Sequence, residues 1–309
     1  MRDGFSRALI ERMGRHEEIV VLDGDVANST KTDKVFEAYP DRFVAAGIAE
    51  QNMAGVAAGL ASTGKLVPFV VTFAVFAVSR MLDQVRVSIA QTGLPVVVVG
   101  AYAGLLTGKT GKTHISVDDL AVYRALPGMR VLAPADDEEL EAALDLCLSN
   151  PAPTYLRVAR DPVPTVTNGA VLRPEGSVLT LRAGTEVALV GTGSQSGRCL
   201  QAADLLSEWG LEAAVLHVPQ LKPIAHATVR EPLERFTHVF TVEEHNVIGG
   251  LGSLVAEALS ERPWGGYHLR LGIQDRFGES GANDDLLHAY GLSSERVARA
   301  VADGVRARS

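Results

Sequence analysis

Short apolar segments recur along this 309-residue chain, and most are followed by a stretch with helical periodicity. Residues 19–22, Val67–Phe73 and 95–100 are apolar at nearly every position, rather than at alternate positions. A strand of that kind needs cover on both faces, which is typical of parallel sheets packed between helices. The sequence therefore predicts an α/β fold with a mainly parallel sheet.

The alternation of strands and helices occurs twice, on either side of a segment with a different composition. Residues 161–184 are rich in Pro, Thr, Gly and Val and show no helical periodicity. We predict a first domain over residues 1–162, a linker over 163–184 and a smaller α/β domain over 185–309. The chain length fits two domains of ordinary size.

Composition narrows the classes of partner and compartment. The net charge of −8 and the pI of about 5.5 argue against nucleic acid or an anionic membrane as the main partner. The longest apolar runs, residues 67–78 and 94–106, are shorter than a membrane span, and the first residues do not resemble a signal peptide. Cys147 and Cys199 have no metal-ligand spacing, so we expect both in the core. We expect a soluble, cytoplasmic protein.

One carboxylate stands at the start of a helix made of small residues. Glu50 follows the apolar segment 43–46 and precedes the Ala- and Gly-rich residues 54–61. Such a helix packs closely against its neighbours, so we expect Glu50 in a tightly packed seam. A buried carboxylate is costly without a partner, and such groups are frequent at functional sites. The alternative is a Glu stabilised by the helix dipole, and the local sequence leaves both readings open.

A loop rich in glycine and lysine, residues 104–114, follows the predicted strand at 95–100. It is not a nucleotide-binding phosphate loop, because Ala103 and Leu106 stand where that motif needs glycine. Polar residues in such loops often contact ligands, and two lysines favour an anionic one. We expect the loop to cover an anionic ligand with the help of His114. An exposed mobile loop is the alternative.

Several motifs, taken in order along the chain, resemble transketolase. They are Leu22-Asp23-Gly24-Asp25 with Asn28-Ser29-Thr30, Gly47-Ile48-Ala49-Glu50-Gln51-Asn52-Met53, Thr72-Phe73-Ala74-Val75-Phe76 with Arg80-Met81-Leu82-Asp83-Gln84-Val85-Arg86, Thr113-His114, Arg124-Ala125-Leu126-Pro127, Ala133-Pro134-Ala135-Asp136, and Thr241-Val242-Glu243-Glu244-His245 with Gly249-Gly250-Leu251-Gly252. The resemblance covers the pyrimidine-binding and C-terminal domains but not the pyrophosphate-binding domain, whose Gly-Asp-Gly motif is not found here. The chain therefore resembles the smaller, C-terminal subunit of a split transketolase.

The resemblance implies a chemical role for Glu50. In this family the matching carboxylate holds a hydrogen bond to N1′ of the thiamine aminopyrimidine, which favours loss of the proton from C2 of the thiazolium. Phe73 and Phe76 match residues that pack against the pyrimidine ring. Asp25 matches a carboxylate near the cofactor. The implied fold is a thiamine-diphosphate-binding parallel-sheet domain followed by a smaller domain like the transketolase C-terminal domain.

The resemblance also implies residues that bind a phosphosugar. Arg2, Ser29 and Arg160 match positions that bind the substrate phosphate, where guanidinium contacts are favourable. His114 matches a polar residue that faces the substrate. The substrate is therefore expected to be a sugar phosphate.

Two departures from the family pattern concern the choice of substrate. Thr110 stands where the family has an Asp that contacts a hydroxyl of the donor sugar. Tyr102 replaces a His that contacts the substrate. Losing a hydrogen-bond partner changes substrate preference strongly, so the donor and acceptor are left open. The additional Lys109 and Lys112 favour a more anionic substrate or an acidic carrier protein.

The implied activity is ketol transfer, a transferase reaction. A two-carbon unit would pass from a ketose to an aldose phosphate, or to a pathway-specific acceptor such as a carrier-bound thioester. Thiamine diphosphate would lie between this chain and a larger N-terminal subunit that carries the pyrophosphate-binding domain and holds Mg²⁺ or Ca²⁺. This chain is expected to supply no metal ligand. The assembly would be α₂β₂, with a second copy of this chain, and the chain alone would be inactive.

Two other functions stay open for a chain of this layout. One is the β subunit of a 2-oxo acid dehydrogenase E1 component, which has a similar length. The other is a non-catalytic regulatory subunit with the same fold, although the presence of Glu50, Phe73 and Phe76 argues against it.

Overall fold

The computed structural model of the protein describes residues 1–169 and 171–307, along which strands and helices alternate. The strands are β1 (Ile19–Asp23), β2 (Phe43–Ala45), β3 (Val67–Phe73), β4 (Val97–Ala101), β5 (Arg130–Leu132), β6 (Thr154–Val158), β7 (Leu179–Arg182), β8 (Val187–Gly191), β9 (Ala213–His217), β10 (Gln220–Lys222), β11 (His238–Asn246) and β12 (Tyr267–Ile273). The helices are α1 (Arg2–Met13), α2 (Ala27–Thr30), α3 (Asp33–Ala38), α4 (Glu50–Ala61), α5 (Ala74–Ser79), α6 (Leu82–Gln84), α7 (Asp119–Ala125), α8 (Asp137–Ser149), α9 (Gln195–Glu208), α10 (His226–Arg230), α11 (Leu251–Ser260), α12 (Asn283–Ala289) and α13 (Ser294–Arg306). None of the helices that the structure describes has the length and hydropathy of a membrane span.

In the described part of the chain, seven strands form the first sheet, in the order β10-β5-β6-β4-β3-β1-β2. All neighbours pair in parallel except β10, which runs antiparallel to β5. Phe73 at the end of β3 pairs with Ala101 of β4, which in turn pairs with Val158 of β6. The residues after these strands therefore emerge at one level along the carboxyl edge of the sheet, where ligands of open α/β sheets bind.

The second sheet has the strand order β12-β11-β8-β9-β7, with β7 antiparallel to β9 and the other neighbours parallel. Helices cover both of its faces, as alternate side chains of β8 show. Val187 and Leu189 lie in a core with residues of α9 and α13, whereas Ala188 and Val190 lie in a core with residues of α10 and α11. The predicted α/β class with covered, mainly parallel sheets is confirmed.

Two short strands lie where the sequence predicts none. Leu179–Arg182 form β7 inside the segment predicted as a linker, and Gln220–Lys222 form β10. Neither has a long apolar run, and each is held by antiparallel pairing to a strand that the sequence does predict. Through β10, the second half of the chain adds a strand to the first sheet. The sequence also predicts a helix around residues 229–235, and the structure has this helix as α10, which begins three residues earlier.

The amphipathic segment at residues 76–90 does not form one continuous helix, because its helical structure is interrupted. α5 ends at Ser79, α6 begins at Leu82, and Val85–Ala90 form a π-helical segment. The Ser79 hydroxyl donates to the backbone oxygen of Val75, a contact that bends helices. The interruption places Arg80 between the two helices, beside the start of α4.

A buried ion pair lies where the two halves of the chain meet. The Arg157 guanidinium donates to both carboxylate oxygens of Asp119, at 2.8 and 3.1 Å, and to the backbone oxygen of Glu244 at 2.9 Å. The Tyr155 hydroxyl donates to the same Asp119 carboxylate at 2.8 Å. Burial acts to lower the pKa of Arg157, but the charge of Asp119 outweighs it, and the pKa lies above its ordinary value. Arg157 therefore stays charged, and through it the pair joins the first half to β11.

A second buried contact between the halves is a chain of a serine, a histidine and a glutamate, the order of groups found in the catalytic triads of hydrolases. His217 lies between Ser196, at 2.6 Å from Nδ1, and Glu139, at 2.7 Å from Nε2. All three side chains have no exposed surface, so a substrate cannot reach them. Their role is structural, because they tie α8 of the first half to β9 and α9 of the second.

Candidate active site

Glu50 begins α4 at the carboxyl edge of the first sheet and is only 4% exposed. The partner that such a carboxylate needs is Arg80, whose Nη1 lies 2.6 Å from Glu50 Oε1. The Arg80 guanidinium also lies over the ring of Phe76, 3.8 Å from its centroid, in a cation–π contact. The Arg80 side chain is 43% exposed, so the carboxylate is buried while its partner reaches solvent.

Four rings form an aromatic cluster next to this ion pair. Phe73 stacks on Tyr102 with 4.5 Å between ring centroids, and on Phe76 with 5.7 Å. His114 contacts both phenylalanines edge-on, at 6.0 and 5.4 Å. Phe73 and Tyr102 are nearly buried, whereas Phe76 is partly exposed. The ends of β3 and β4 and the loop at 104–114 thus meet in one cluster of rings, which reaches the Glu50–Arg80 pair through Phe76.

Tyr102 is held in an unusual conformation by two predicted phosphate-binding residues. Its φ is +60°, which is uncommon for a residue other than glycine. Arg2 donates to the Tyr102 hydroxyl and, at 3.0 Å, to the backbone oxygen of Ser29. The Arg160 guanidinium lies 5.5 Å from the centroid of the Tyr102 ring. Such a conformation persists only when its surroundings hold it, and it is frequent at functional sites.

Arg160 also lines an open cleft of about 500 Å³. Thr107, Lys109 and Thr110 of the loop line it, opposite Asn283 at the start of α12. The Arg160 Nε is buried and has no hydrogen-bond partner among the described residues. The Thr110 hydroxyl donates to that of Thr107 at 2.8 Å. Two cations and two hydroxyls on one cleft suit the anionic end of a ligand.

Asp25 is the predicted site residue that the structure does not connect to the others. It lies at the same edge of the sheet, exposed and with a φ of +65°, and makes no side-chain hydrogen bond or ion pair within the described residues. The nearby Asp23 is buried instead and accepts hydrogen bonds from Thr32 Oγ1 at 2.7 Å and Val26 N at 2.8 Å. Burial raises the pKa of Asp23. Asp23 therefore builds the turn that presents Asp25.

The structure adds one residue to the predicted site. Arg80 belongs to a motif in the resemblance, but the sequence assigns it no role. A signal was present, because Arg80 follows Phe76 by four positions and would share its face on a helix. No local sequence pattern predicts that Arg80 pairs with Glu50. Within residues 1–169 and 171–307, no group of three or more His, Cys, Asp or Glu side chains is arranged to hold a metal ion.

Two family models match the chain. Residues 1–165 match the transketolase pyrimidine-binding domain, and residues 176–297 match the transketolase C-terminal domain. Fold and site together define a two-domain α/β chain in which a cluster of aromatic rings lies next to a buried carboxylate and its arginine partner. The chain belongs to the transketolase family, and membership implies the use of thiamine diphosphate.

The chain is similar to subunits of split transketolases along nearly its full length. The 6-deoxy-6-sulfo-D-fructose transketolase subunit of Clostridium sp. is 36% identical over 303 residues, 97% of this chain and 92% of that protein. One of the subunits of the apulose-4-phosphate transketolase of Phocaeicola vulgatus is 34% identical over 307 residues, 99% of this chain and 97% of that protein. A solved structure described as a split gene transketolase, inactive β4 tetramer, is 39% identical, covers 98% of this chain and 97% of that one, and has a TM-score of 0.88. The resemblance is confirmed, while the roles of single residues stay predictions.

Proposed function

We propose that this chain is the C-terminal subunit of a two-subunit transketolase that transfers a two-carbon ketol unit from an anionic ketose. The observation that carries the proposal is the buried Glu50 beside the rings of Phe73 and Phe76. A carboxylate can hold a hydrogen bond to a ring nitrogen, and an aromatic face accepts a planar heterocycle. These groups fit the aminopyrimidine of thiamine diphosphate. When bound, the cofactor supplies the nucleophilic carbon that takes up the ketol unit.

Glu50 acts on a proton at N1′ of the aminopyrimidine. To reach that nitrogen, its carboxylate exchanges the contact with Arg80 for one with the ring. Arg80 can turn toward solvent while it stays over Phe76, because its side chain is already 43% exposed. The Glu50 side chain itself is only 4% exposed, and a hydrogen bond to a buried carboxylate is stronger than one in water.

The cleft beside Arg160 binds the anionic end of the ketose in this proposal. Arg160 and Lys109 supply the positive charge, and Thr110 supplies a hydroxyl. Both named relatives carry the names of ketoses with an anionic group, a sulfonate in one and a phosphate in the other, which supports an anionic donor. Tyr102 contacts Arg160 of this cleft and stacks on Phe73, and His114 contacts Phe76, so the carbon chain of the sugar would pass beside these two residues.

A second subunit and a second copy of this chain complete the site in this proposal. Four apolar side chains stand exposed on β2, α4 and the adjoining segments: Val44, Ile48, Val56 and Val87. Exposed apolar groups close to a functional site often mark an interface. The similar structure described as an inactive β4 tetramer supports inactivity of this chain without a partner. The partner would carry the pyrophosphate-binding domain and hold Mg²⁺ or Ca²⁺, in an α₂β₂ assembly.

Reconstitution tests the proposal. We expect ketol transfer from a phosphorylated or sulfonated ketose to an aldose phosphate when the larger subunit, this chain, thiamine diphosphate and Mg²⁺ are mixed, and none when either subunit is left out. A carrier-bound thioester replaces the aldose phosphate in a parallel assay. Lipoyl-dependent decarboxylation of a 2-oxo acid by the same mixture would instead assign the chain to the 2-oxo acid dehydrogenases. Stimulation of a partner that is active alone would make it a regulatory subunit.

Replacing Arg160 with Met is expected to raise KM for the anionic ketose by roughly 10- to 100-fold, because a hydrogen bond to a charged group is lost. The kcat should change much less, since Arg160 contacts Tyr102, whereas the partner of Glu50 is Arg80. Steady-state kinetics of the reconstituted enzyme provide the measurement.

The same sugar without its anionic group is the internal comparison, and its KM should not change. Arg7→Met removes an arginine from the exposed surface of α1 and serves as the control for loss of charge. An equal loss with both sugars would show that Arg160 does not bind the anionic group.

A further inference from the structure

The proposed reaction leaves two buried carboxylates of β11 without a role. Glu243 and Glu244 are adjacent, and burial raises the pKa of both. Their side chains point to opposite faces, as neighbours on a strand do. Glu243 accepts the backbone N–H groups of Leu251 at 2.7 Å and Gly252 at 2.8 Å, so it stabilises the start of α11. Glu244 points away from α11, toward the first half of the chain.

Glu244 holds the beginning of the loop at 104–114. Its Oε1 accepts the backbone N–H of Leu106 at 3.0 Å, and both groups are buried. Gly104 has a φ of +80°, and a Cβ added there would lie 2.2 Å from the same carboxylate oxygen. Loop backbone and carboxylate are therefore in direct contact, with no space for a side chain between them. Arg157 fixes the other side of the contact, because it donates to the backbone oxygen of Glu244 at 2.9 Å.

The loop held in this way carries residues of both parts of the proposed site. Lys109 and Thr110 line the anionic cleft, and His114 contacts the ring of Phe76. The second half of the chain also touches the loop elsewhere. Asn283 donates to the backbone oxygen of Leu106 at 3.3 Å, Ser280 donates to the backbone oxygen of Lys109 at 3.2 Å, and the side chains of Leu105 and Leu106 pack in the core of the second half. The side chain of Ser280 is exposed, whereas that of Glu244 is buried. Of these three hydrogen bonds, that of Glu244 is the one between two buried groups, and a buried donor left without its acceptor costs the most.

We propose that Glu244 is a positioning residue, through which the second half of the chain sets the loop at 104–114 over the substrate. It touches neither substrate nor cofactor. Its carboxylate keeps Leu106 in place, and the residues that follow are thereby presented to the anionic group of the ketose. The expected change in KM rests on the proposed function, whereas the contact by which Glu244 holds the loop does not.

Limited trypsin digestion of the folded subunit tests whether Glu244 holds the loop at 104–114. Lys109 and Lys112 are exposed cleavage sites within the loop, and Lys65 is an exposed site elsewhere. We expect Glu244→Ala to speed cleavage in the loop at least about tenfold, because a buried N–H loses its acceptor. Glu244→Gln should stay near the wild type, since the amide oxygen still accepts from Leu106. Cleavage at Lys65 should be the same in all variants.

Two further variants separate a loop effect from general destabilisation. Glu243→Ala removes the neighbouring buried carboxylate and its contacts with α11, but leaves the loop contact in place. Gly104→Ala forces a methyl group against Glu244 and should release the loop even if Glu244→Ala does not fold. Loop cleavage at the wild-type rate in Glu244→Ala or in Gly104→Ala would overturn the proposal. So would equal acceleration by Glu243→Ala.

The kinetic consequence is measured in the reconstituted enzyme. Glu244→Ala should raise KM for the anionic ketose about tenfold or more. Glu244→Gln should have a KM close to that of the wild type, because its amide oxygen still accepts from Leu106. A normal KM in Glu244→Ala, together with a released loop, would overturn the link to the substrate. If the reconstituted pair shows no ketol transfer at all, the proposed function fails, while the digestion still decides whether Glu244 holds the loop.

Discussion

Replacing Glu50 with Gln is expected to lower ketol transfer by the reconstituted enzyme by a factor of roughly 10² to 10⁴, the usual contribution of a positioned acid or base. The amide cannot take up and return a proton at a ring nitrogen as a carboxylate does. It has nearly the same size, and its oxygen still accepts from Arg80. We therefore expect the loss in kcat at saturating donor, with the melting temperature almost unchanged and thiamine diphosphate still bound.

Glu138→Gln is the matched control for this change. Glu138 also stands in the first turn of a helix, α8, but its side chain is exposed. The variant loses the same charge and should keep full activity. Wild-type turnover in Glu50→Gln would exclude a role for Glu50 in proton transfer, and a parallel loss in Glu138→Gln would trace the effect to net charge.

The second large effect is expected on stability. Replacing Arg157 with Met should lower the free energy of unfolding by about 3–5 kcal/mol, because it leaves a buried charge without its partner. Asp119 has no exposed surface and would retain only the hydroxyl of Tyr155 as a donor. The backbone oxygen of Glu244 would lose a donor as well. Chemical denaturation of the subunit at neutral pH measures the change.

Two comparisons define the cause of that loss. Arg182→Met breaks a pair with the exposed Asp204 and should cost less than about 1 kcal/mol. The double variant Arg157→Met with Asp119→Leu removes both charges and should recover most of the stability, since apolar residues often replace a buried pair at little cost. A loss in Arg157→Met no larger than in Arg182→Met would contradict the prediction.

Strands in the middle of the sheets are the part of the fold that the sequence predicts best. Val67–Phe73 forms β3 with the predicted bounds, and the apolar segments at residues 19–22 and 95–100 form β1 and β4 with bounds that differ by one or two residues. A run of mainly apolar residues, too short for a helix and bounded by turn residues, fits the buried centre of an α/β sheet. The edge strands β7 and β10 could not be predicted, because they have only four and three residues and depend on pairing with distant strands.

The site was predicted by its motifs, but its contacts were not. The resemblance supplies Glu50, Phe73 and Phe76 as candidate residues, and the structure brings all three together. Arg80 pairs with Glu50 over thirty positions of sequence, and no local pattern encodes such a contact. The same holds for Arg2 and Tyr102, which are one hundred positions apart. Contacts of this kind follow from the order of strands in the sheet, which a pattern of apolar residues does not determine.

The strand β10 limits how this chain can be shortened. It closes one edge of the first sheet by antiparallel pairing with β5, although it lies far beyond the last parallel strand of that sheet in sequence. A version that ends near residue 162 would leave the N–H and C=O groups of β5 open, and such an edge recruits strands from other molecules. Fusions and truncations therefore have to keep the chain through Lys222, because the first sheet is complete only when β10 is present.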